Sequence, residues 1–471
     1  MGSQLDAACA AGEARRAAGA AADPGKLIGG LMARMQWSAR QLREYQRSRL
    51  TDLIAHAVTA SPYYRQLLGP DAASAPLESL PTLSKTTLIN QFDTIVTDPA
   101  LRLADLQAHL AGPQATRPHR THLVMSTSGS TGTPAVFVYS RAEMAEAVAG
   151  LMRAMTVLGV GPGTRLVGIG APSAVSLSHH LISGLRAGRI SDGPQVSVLT
   201  PLPDLVRHLN AYQPEVFPTV ASVASLLAEE QLAGRLHISP RVVICTSEVL
   251  AADIRERIHA AWGIQPHEFY STTEAAIMAS TSPAQAGMHI WEDQVIIEVV
   301  DAAGDPVPPG TPGHKVLVTN LVNRVLPLLR YEISDTVTLA GGSDPTGWPF
   351  RRIASVDGRS DDVIMLPAAA GGRVPVHAMH LRAPFPGFPD VVQYQIVQDH
   401  AGLSVSVVLR PGAEPALTRR VREALASRLS SVGVLPPPIT VTAVGHIDRE
   451  DGPLPKYAVV KSLLPRQPGD R

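Results

Sequence analysis

Ser126-Thr127-Ser128-Gly129-Ser130-Thr131-Gly132-Thr133-Pro134 is the stretch on which the reading of this chain turns. Leu123-Val124-Met125 precedes it and Ala135-Val136-Phe137-Val138-Tyr139 follows it, so the spacing predicts a strand, a polar loop and a second strand. Gly129 and Gly132 let the backbone approach anionic oxygens closely, and the hydroxyls around them supply donors. A loop of this kind can wrap a polyphosphate, which points to ATP. It is not a P-loop, because no lysine lies in or near it and no helix follows directly. A polar hairpin turn would have the same composition, so the loop needs company before it assigns a function.

The 471 residues, 45% hydrophobic and 17% charged, suffice for a large core divided among two or more domains. With 41 basic against 41 acidic residues there is no electrostatic footprint for nucleic acid, and small-molecule chemistry is expected instead. Cys9 and Cys245 are too few for a disulfide framework or a structural zinc site, which fits a cytoplasmic setting. Glu13, Arg15 and Arg16 interrupt the Ala/Gly-rich start, so residues 1–25 read as a tail and not as a signal peptide. No apolar run reaches about eighteen residues, and no membrane span is expected.

Around the loop the chain reads as α/β. Apolar positions at Leu50, Leu53, Ile54, Ala57 and Val58 predict a helix that stops near Ser61-Pro62. Ser140-Arg141-Ala142-Glu143 has the spacing of a capping box and opens a long amphipathic helix. Between residues 166 and 270 short apolar runs alternate with helical stretches at 202–212 and 251–262, the pattern of a layered α/β sheet. Residues 295–339 carry strands without helices and suggest a small antiparallel or barrel subdomain. A boundary near Asp357-Gly358 precedes a β-β-α-β pattern of lid size. The expected organisation is a tail at 1–25, a large N-terminal domain of layered α/β sheets with a small β-barrel at 26–357, and a small α+β C-terminal lid at 358–471.

Read in order, the motifs resemble those of the adenylate-forming superfamily, which holds acyl-CoA synthetases, peptide-synthetase adenylation domains and luciferases. The Ser/Thr/Gly loop is similar to its ATP signature, and Tyr270-Ser271-Thr272-Thr273-Glu274 to its Tyr-Gly-x-Thr-Glu element. Asp335 matches its ribose-binding aspartate, Gly358-Arg359-Ser360-Asp361-Asp362 its interdomain hinge, and Pro455-Lys456-Tyr457-Ala458-Val459-Val460-Lys461 its C-terminal lysine element. Ser61-Pro62-Tyr63-Tyr64-Arg65 and Pro327-Leu328-Leu329-Arg330-Tyr331 resemble the phenylacetate-CoA ligase branch.

The resemblance implies ATP-dependent activation of a small, aromatic carboxylic acid, with CoA as acyl acceptor. Ser128, Gly129, Ser130, Thr131 and Gly132 would hold the β- and γ-phosphates. Thr273 would contact phosphate oxygens, and Glu274 would carry Mg²⁺, a hard cation suited to carboxylate oxygen. Tyr270 would pack on adenine, with Ser271 and Thr272 beside it, while Asp335 and Arg359 would meet the ribose. Lys461 would be the catalytic lysine, with Lys456 as its alternative; these are two of only five lysines in the chain. Asp361 would be the pivot for the C-terminal domain.

His179 and His180 fall where relatives gate the acyl pocket, although a helix-start pair reads the same way, and Ser247 and Glu248 would approach substrate. Ser271, Ser334 and Val460 stand where the family has glycine, and the segment 366–373 lacks the family's Arg-Gly-x-Asn near the pantetheine tunnel. The acceptor therefore stays open between CoA, an amine, a carrier protein or another nucleophile, with inorganic acids such as nitrite also open as substrates. A non-catalytic nucleotide-binding homologue is the remaining reading. Oligomeric state is not legible, a homodimer being compatible with the chain.

Overall fold

The computed structural model describes residues 23–112, 115, 118–127, 135–170, 175–188, 190, 193–359, 363–388, 390–448 and 459–464. Ser128, Gly129, Ser130, Thr131, Gly132, Asp361 and Lys456 lie outside the described residues.

The two runs flanking the glycine-rich loop form the strands His122–Ser126 and Val136–Ser140, paired antiparallel from His122 opposite Ser140 to Ser126 opposite Val136. Ser140 ends the second strand and caps the helix Arg141–Val157: its hydroxyl receives the Glu143 N–H, and the Glu143 carboxylate receives the Ser140 N–H at 2.7 Å. Glu143 also accepts the N–H groups of Arg324 and Val325 at 2.7 and 3.1 Å, so one carboxylate ties a helix start to a distant loop. Burial raises that carboxyl above its usual range even with these donors around it.

Among the described residues, seven strands form the largest sheet. Its spatial order is Asp335–Leu339, Arg352–Arg359, Met288–Ile290, Ala276–Thr281, His267–Thr272, Val242–Thr246 and Val216–Thr219. The last three run parallel, joined by the helices Ala221–Leu232 and Ala252–Trp262, and the rest pair antiparallel. Mixed α/β architecture is what the alternating pattern between 166 and 270 implies.

The strands expected as one small unit between 295 and 339 are divided. Val295–Val300, Lys315–Asn320 and Tyr331–Ile333 form a three-stranded antiparallel sheet, while Asp335–Leu339 pairs with Arg352–Arg359 at the edge of the large sheet. A break at Ser334 redirects the chain, and bonds of Asp335–Leu339 to Pro312 and Gly313 link the two sheets. The strand Val216–Thr219 and the helix after it were not legible in the apolar pattern.

The segment from residue 363 onward has its own apolar cluster around Ile396, Leu403, Val405, Val421 and Leu425. Its four-stranded sheet places Ile439–Ala443, Gly402–Leu409, Val391–Asp399 and Val460–Ser462 side by side, with the helix Leu417–Ser431. The expected β-β-α-β elements are present, and the strand Val460–Ser462 is added to them.

At the other end, the helix Pro24–Arg34 is tied down by Arg34, which shares the buried Asp293 carboxylate with Arg153 at 3.2 and 2.8 Å. The Arg153 guanidinium, fully buried, lies 4.1 Å from the Trp291 ring centroid. Burial opposes ionisation of Asp293, but the two guanidiniums win and hold its carboxyl below the usual range.

Candidate active site

Ligands of an open α/β sheet bind outside the carboxyl ends of its strands. Here those ends bring together Thr246-Ser247-Glu248 and Ser271-Thr272-Thr273-Glu274. The Thr246 hydroxyl lies 3.1 Å from that of Ser271 and donates to the Phe269 carbonyl at 3.0 Å, which clips the two parallel strands together at their ends.

Thr273, Glu274 and Ala275 form a three-residue turn between the antiparallel strands His267–Thr272 and Ala276–Thr281. Residues 271–275 are half-buried while 276–281 are buried, so the turn presents a polar lip over an apolar sheet. Ala276 closes it at φ 58°, a left-handed conformation that a residue with Cβ adopts at a cost of about 1–2 kcal/mol. The register shifts between Tyr270 and Ser271, where the family's glycine would stand.

Tyr270 reaches across the sheet. Its hydroxyl donates to Asp335 Oδ2 at 2.7 Å, and Arg359 Nε donates to Asp335 Oδ1 at 3.2 Å. Asp335 and Arg359 face each other in register on neighbouring strands, which places the pair without help from a loop. Burial, then the Asp335 charge, pushes the Tyr270 phenol well up, so it stays protonated and remains a donor. Glu274 belongs to the same electrostatic group: burial raises its carboxyl, Arg359 pulls it down and Asp335 pushes it up. The Thr272 hydroxyl receives the Ala275 N–H at 3.3 Å and lies 3.9 Å from Met278 Sδ.

Sequence reasoning missed what lies behind this lip. The Tyr139 hydroxyl donates to the Glu274 carbonyl at 3.0 Å, and Asn320 Nδ2 donates to the same carbonyl at 2.9 Å. Tyr139 looked like one more bulky residue in an apolar run. The available signal was the pair of asparagines, Asn320 and Asn323, set in an otherwise apolar strand end and loop.

Other expected residues are placed as follows. Glu248 accepts the Ser222 N–H at 2.8 Å and the Ser222 hydroxyl at 3.1 Å, holding the first turn of the helix Ala221–Leu232. Ser247 has φ 67°, a strained non-glycine position at the strand end. His179 and His180 sit in the first turn of the helix Leu177–Ala187, whose cap Ser176 receives the His179 N–H at 3.2 Å. Burial, then His179, drives the His180 imidazole down to about 4, so it is neutral near pH 7. Cys245 is buried in an apolar cluster and its thiol is pushed up by burial, as befits a packing residue.

Lys461 lies on the C-terminal sheet beside Val397, at a cavity of about 290 Å³ lined by Gln395, Ser406, Val444, His446, Ile447 and Asp448. Among the described residues there is no cluster of three or more His, Cys, Asp or Glu side chains able to hold a metal alone. Mg²⁺ does not need one, since it commonly takes one or two carboxylates plus substrate phosphates. No described helix is long and apolar enough to cross a membrane.

Comparison with known proteins gives the family of the chain. Residues 49–320 match the AMP-binding enzyme family. The chain is 27% identical over 384 residues to the phenylacetate-coenzyme A ligase of Thermus thermophilus, covering 78% of this chain and 82% of that one. It is 25% identical over 416 residues to the phenylacetate-coenzyme A ligase of Aromatoleum evansii, covering 83% and 87%. A crystal structure of 2-hydroxyisobutyryl-CoA ligase shares the fold with a TM-score of 0.71 at 21% identity, covering 91% of this chain and 90% of that one. The chain therefore belongs to the AMP-binding enzyme family of adenylate-forming proteins, in its phenylacetate-CoA ligase-like branch, and is an AMP-forming ligase.

Proposed function

We propose that this chain uses Mg²⁺ and ATP to adenylate a small carboxylic acid, an aromatic one by preference, and then passes the acyl group to CoA. The observation that carries the reading is the Tyr270–Asp335–Arg359 cluster beside the Thr273-Glu274 lip at the carboxyl ends of the sheet. The four relatives of this branch that act on phenylacetate with coenzyme A support the substrate class and the acceptor.

In this reading a carboxylate oxygen attacks the α-phosphorus of ATP, the bond from that phosphorus to the bridging oxygen breaks, and pyrophosphate leaves with both electrons. Asp335 accepts hydrogen bonds from the ribose hydroxyls, with Arg359 donating to one of its oxygens and Tyr270 to the other, so the carboxylate is fixed in place. Mg²⁺, when bound, neutralises charge on the phosphate oxygens. Glu274 would hold it, with the Thr273 hydroxyl on a phosphate oxygen, and Ser128, Gly129, Ser130, Thr131 and Gly132 would embrace the β- and γ-phosphates. Lys461 delivers positive charge to the bridging oxygen, and the C-terminal segment turns about Asp361 to bring it in and to withdraw it before acyl transfer. The CoA sulfur then bonds to the carbonyl carbon, its thiol proton passing to solvent, while the bond from that carbon to the phosphate oxygen breaks and AMP departs with both electrons. Glu274, Asp335 and Lys461 all retain their chemistry, which weighs against a non-catalytic role.

A second acceptor has one observation in its favour. The turn between the strands Val363–Pro367 and Arg373–His377 consists of Ala368, Ala369, Ala370 and two glycines at φ 93° and 76°, and the Arg373 guanidinium beside it donates back to the Met365 carbonyl at 2.8 Å, in the segment that lacks the Arg-Gly-x-Asn pattern of relatives. An amine, a carrier-protein thiol or another nucleophile would then take the acyl group. Pyrophosphate release measured across aryl, short alkyl and inorganic acids, with and without CoA, tests both. Acyl-CoA formed together with release supports CoA; release with no CoA consumed moves the acceptor to the second class.

A further inference from the structure

The Thr273-Glu274 turn is bonded within itself by the Ala275 N–H, which the Thr272 hydroxyl receives at 3.3 Å. It contains two β-branched or long side chains and no glycine, and it closes on a left-handed alanine, so its local preferences oppose its conformation. That long internal bond is backed by shorter ones from outside the turn. We infer that Tyr139 and Asn320 form a buried clamp on the Glu274 carbonyl that positions the Glu274 carboxylate for its ligand.

The hydrogen bonds assign every donor. Asn320 Oδ1 accepts the N–H groups of Val322 and Asn323 at 2.9 and 3.2 Å, so the amide cannot be flipped and Nδ2 must face the turn. Nδ2 donates both to the Glu274 carbonyl at 2.9 Å and to the Tyr139 oxygen at 3.1 Å. The phenol, having accepted from Asn320, directs its own proton to the Glu274 carbonyl at 3.0 Å, with the Thr273 carbonyl at 3.4 Å. Tyr139 and Asn320 are 0% and 2% exposed, so both polar groups depend on this arrangement for their partners. Glu143 holds the far side through the Arg324 and Val325 N–H groups, and Asn323 closes the loop by donating to the Val138 carbonyl at 2.9 Å. The clamp therefore joins the strand that follows the glycine-rich loop to the turn that carries Glu274, two elements assigned to the same triphosphate.

Tyr139 and Asn320 touch neither substrate nor metal; they are positioning residues, and the role of Glu274 as a Mg²⁺ ligand rests on the proposed function. The test compares Tyr139→Phe and Asn320→Ala with Asn323→Ala in the full chain. Asn323 is equally buried, lies in the same loop beside Tyr139 and bonds to the Val138 carbonyl, but makes no bond to the turn, so its loss reports the cost of loosening the loop with both donors to the Glu274 carbonyl kept. Tyr139→Phe and Asn320→Ala are expected to raise the Mg²⁺ concentration needed for half-maximal ATP–pyrophosphate exchange by about tenfold, the usual scale for losing an outer partner of a metal site. KM for the acid should stay within about twofold, and Asn323→Ala should lower the melting temperature without moving the Mg²⁺ dependence.

Equal Mg²⁺ dependence in all variants, or an equal shift in Asn323→Ala, overturns the clamp. If the wild-type chain exchanges with no acid, the adenylation reading fails on its own. The clamp is then tested by ATP binding with and without Mg²⁺ in a calorimeter, where only the Mg²⁺-dependent gain in affinity should fall in Tyr139→Phe and Asn320→Ala. An unchanged gain overturns it.

Discussion

Glu274 is a carboxylate pulled two ways, by burial that favours its neutral form and by Arg359 that favours its charge. Its folded-state pKa lies above the ordinary glutamate value, so it takes up a proton as the pH falls at a point where a solvated glutamate would still be ionised. A protonated carboxyl cannot hold Mg²⁺. Activation by Mg²⁺ should therefore fall on the acid side above the usual glutamate range, and Arg359→Gln should move that limb to higher pH by removing the charge that lowers the pKa. A pH profile of Mg²⁺ activation checks it; a limb that stays in place, or moves to lower pH, contradicts the assignment. The residues proposed for the site could be picked one by one because Asp335, Arg359, Thr273 and Glu274 stand in recognisable motifs. The bond from Tyr270 to Asp335 was not, since 65 residues separate the partners and only the sheet register brings them together.

Elements whose pattern matched their period could be read directly. The strands flanking residues 127–135 and the capped helix Arg141–Val157 follow from alternation and from a Ser-x-x-Glu spacing. The strand Val216–Thr219 escaped notice because Pro218 interrupts it; it is the last strand of its sheet, and on its open side the bridge to Leu166 falls at Val216, so the N–H that Pro218 lacks is tolerated. The following helix, Ala221–Leu232, is buried at Ala221, Ser222, Val223, Ala224, Ser225, Leu227, Ala228 and Glu229, so it has no polar face to reveal a helical period. Gly184 has a meaning that only packing exposes. A Cβ there would lie 2.3 Å from Val148 Cγ2, so glycine lets the helix Leu177–Ala187 seat against Arg141–Val157. Gly184→Ala should destabilise the fold by about 1–3 kcal/mol through overpacking, even though alanine favours helix. Adding Val148→Ala should recover part of that loss in urea unfolding. A more stable single variant would show that the helices are not in close contact.

At the scale of the whole molecule, a buried ionic group connects the segment after residue 363 to the large sheet's helices. Arg257 Nε lies 2.6 Å from Glu229 Oε1, and its Nη2 donates to the Val391 carbonyl at 2.9 Å. Arg410 Nη2 donates to the same Glu229 carboxylate at 2.8 and 2.9 Å. Glu229 and Arg257 are 7% and 8% exposed, so their charges depend on each other. Glu229→Gln should cost about 3 kcal/mol, because removing one partner strands a buried guanidinium. Chemical denaturation of the full chain measures this, and a change under about 0.5 kcal/mol would show that water compensates the charges. None of this joint was legible in the sequence, where Glu229, Arg257 and Arg410 look like ordinary helix and loop charges spread over 180 residues.

ATP–pyrophosphate exchange across a panel of small carboxylic acids, in the wild-type chain and in Asp335→Ala, tests the central claim most directly. Adenylation predicts label entering ATP only when an acid and Mg²⁺ are both present, with the rate falling by at least about a hundredfold when the aspartate is lost. Exchange that ignores the acid, or that survives unchanged without Asp335, would contradict it.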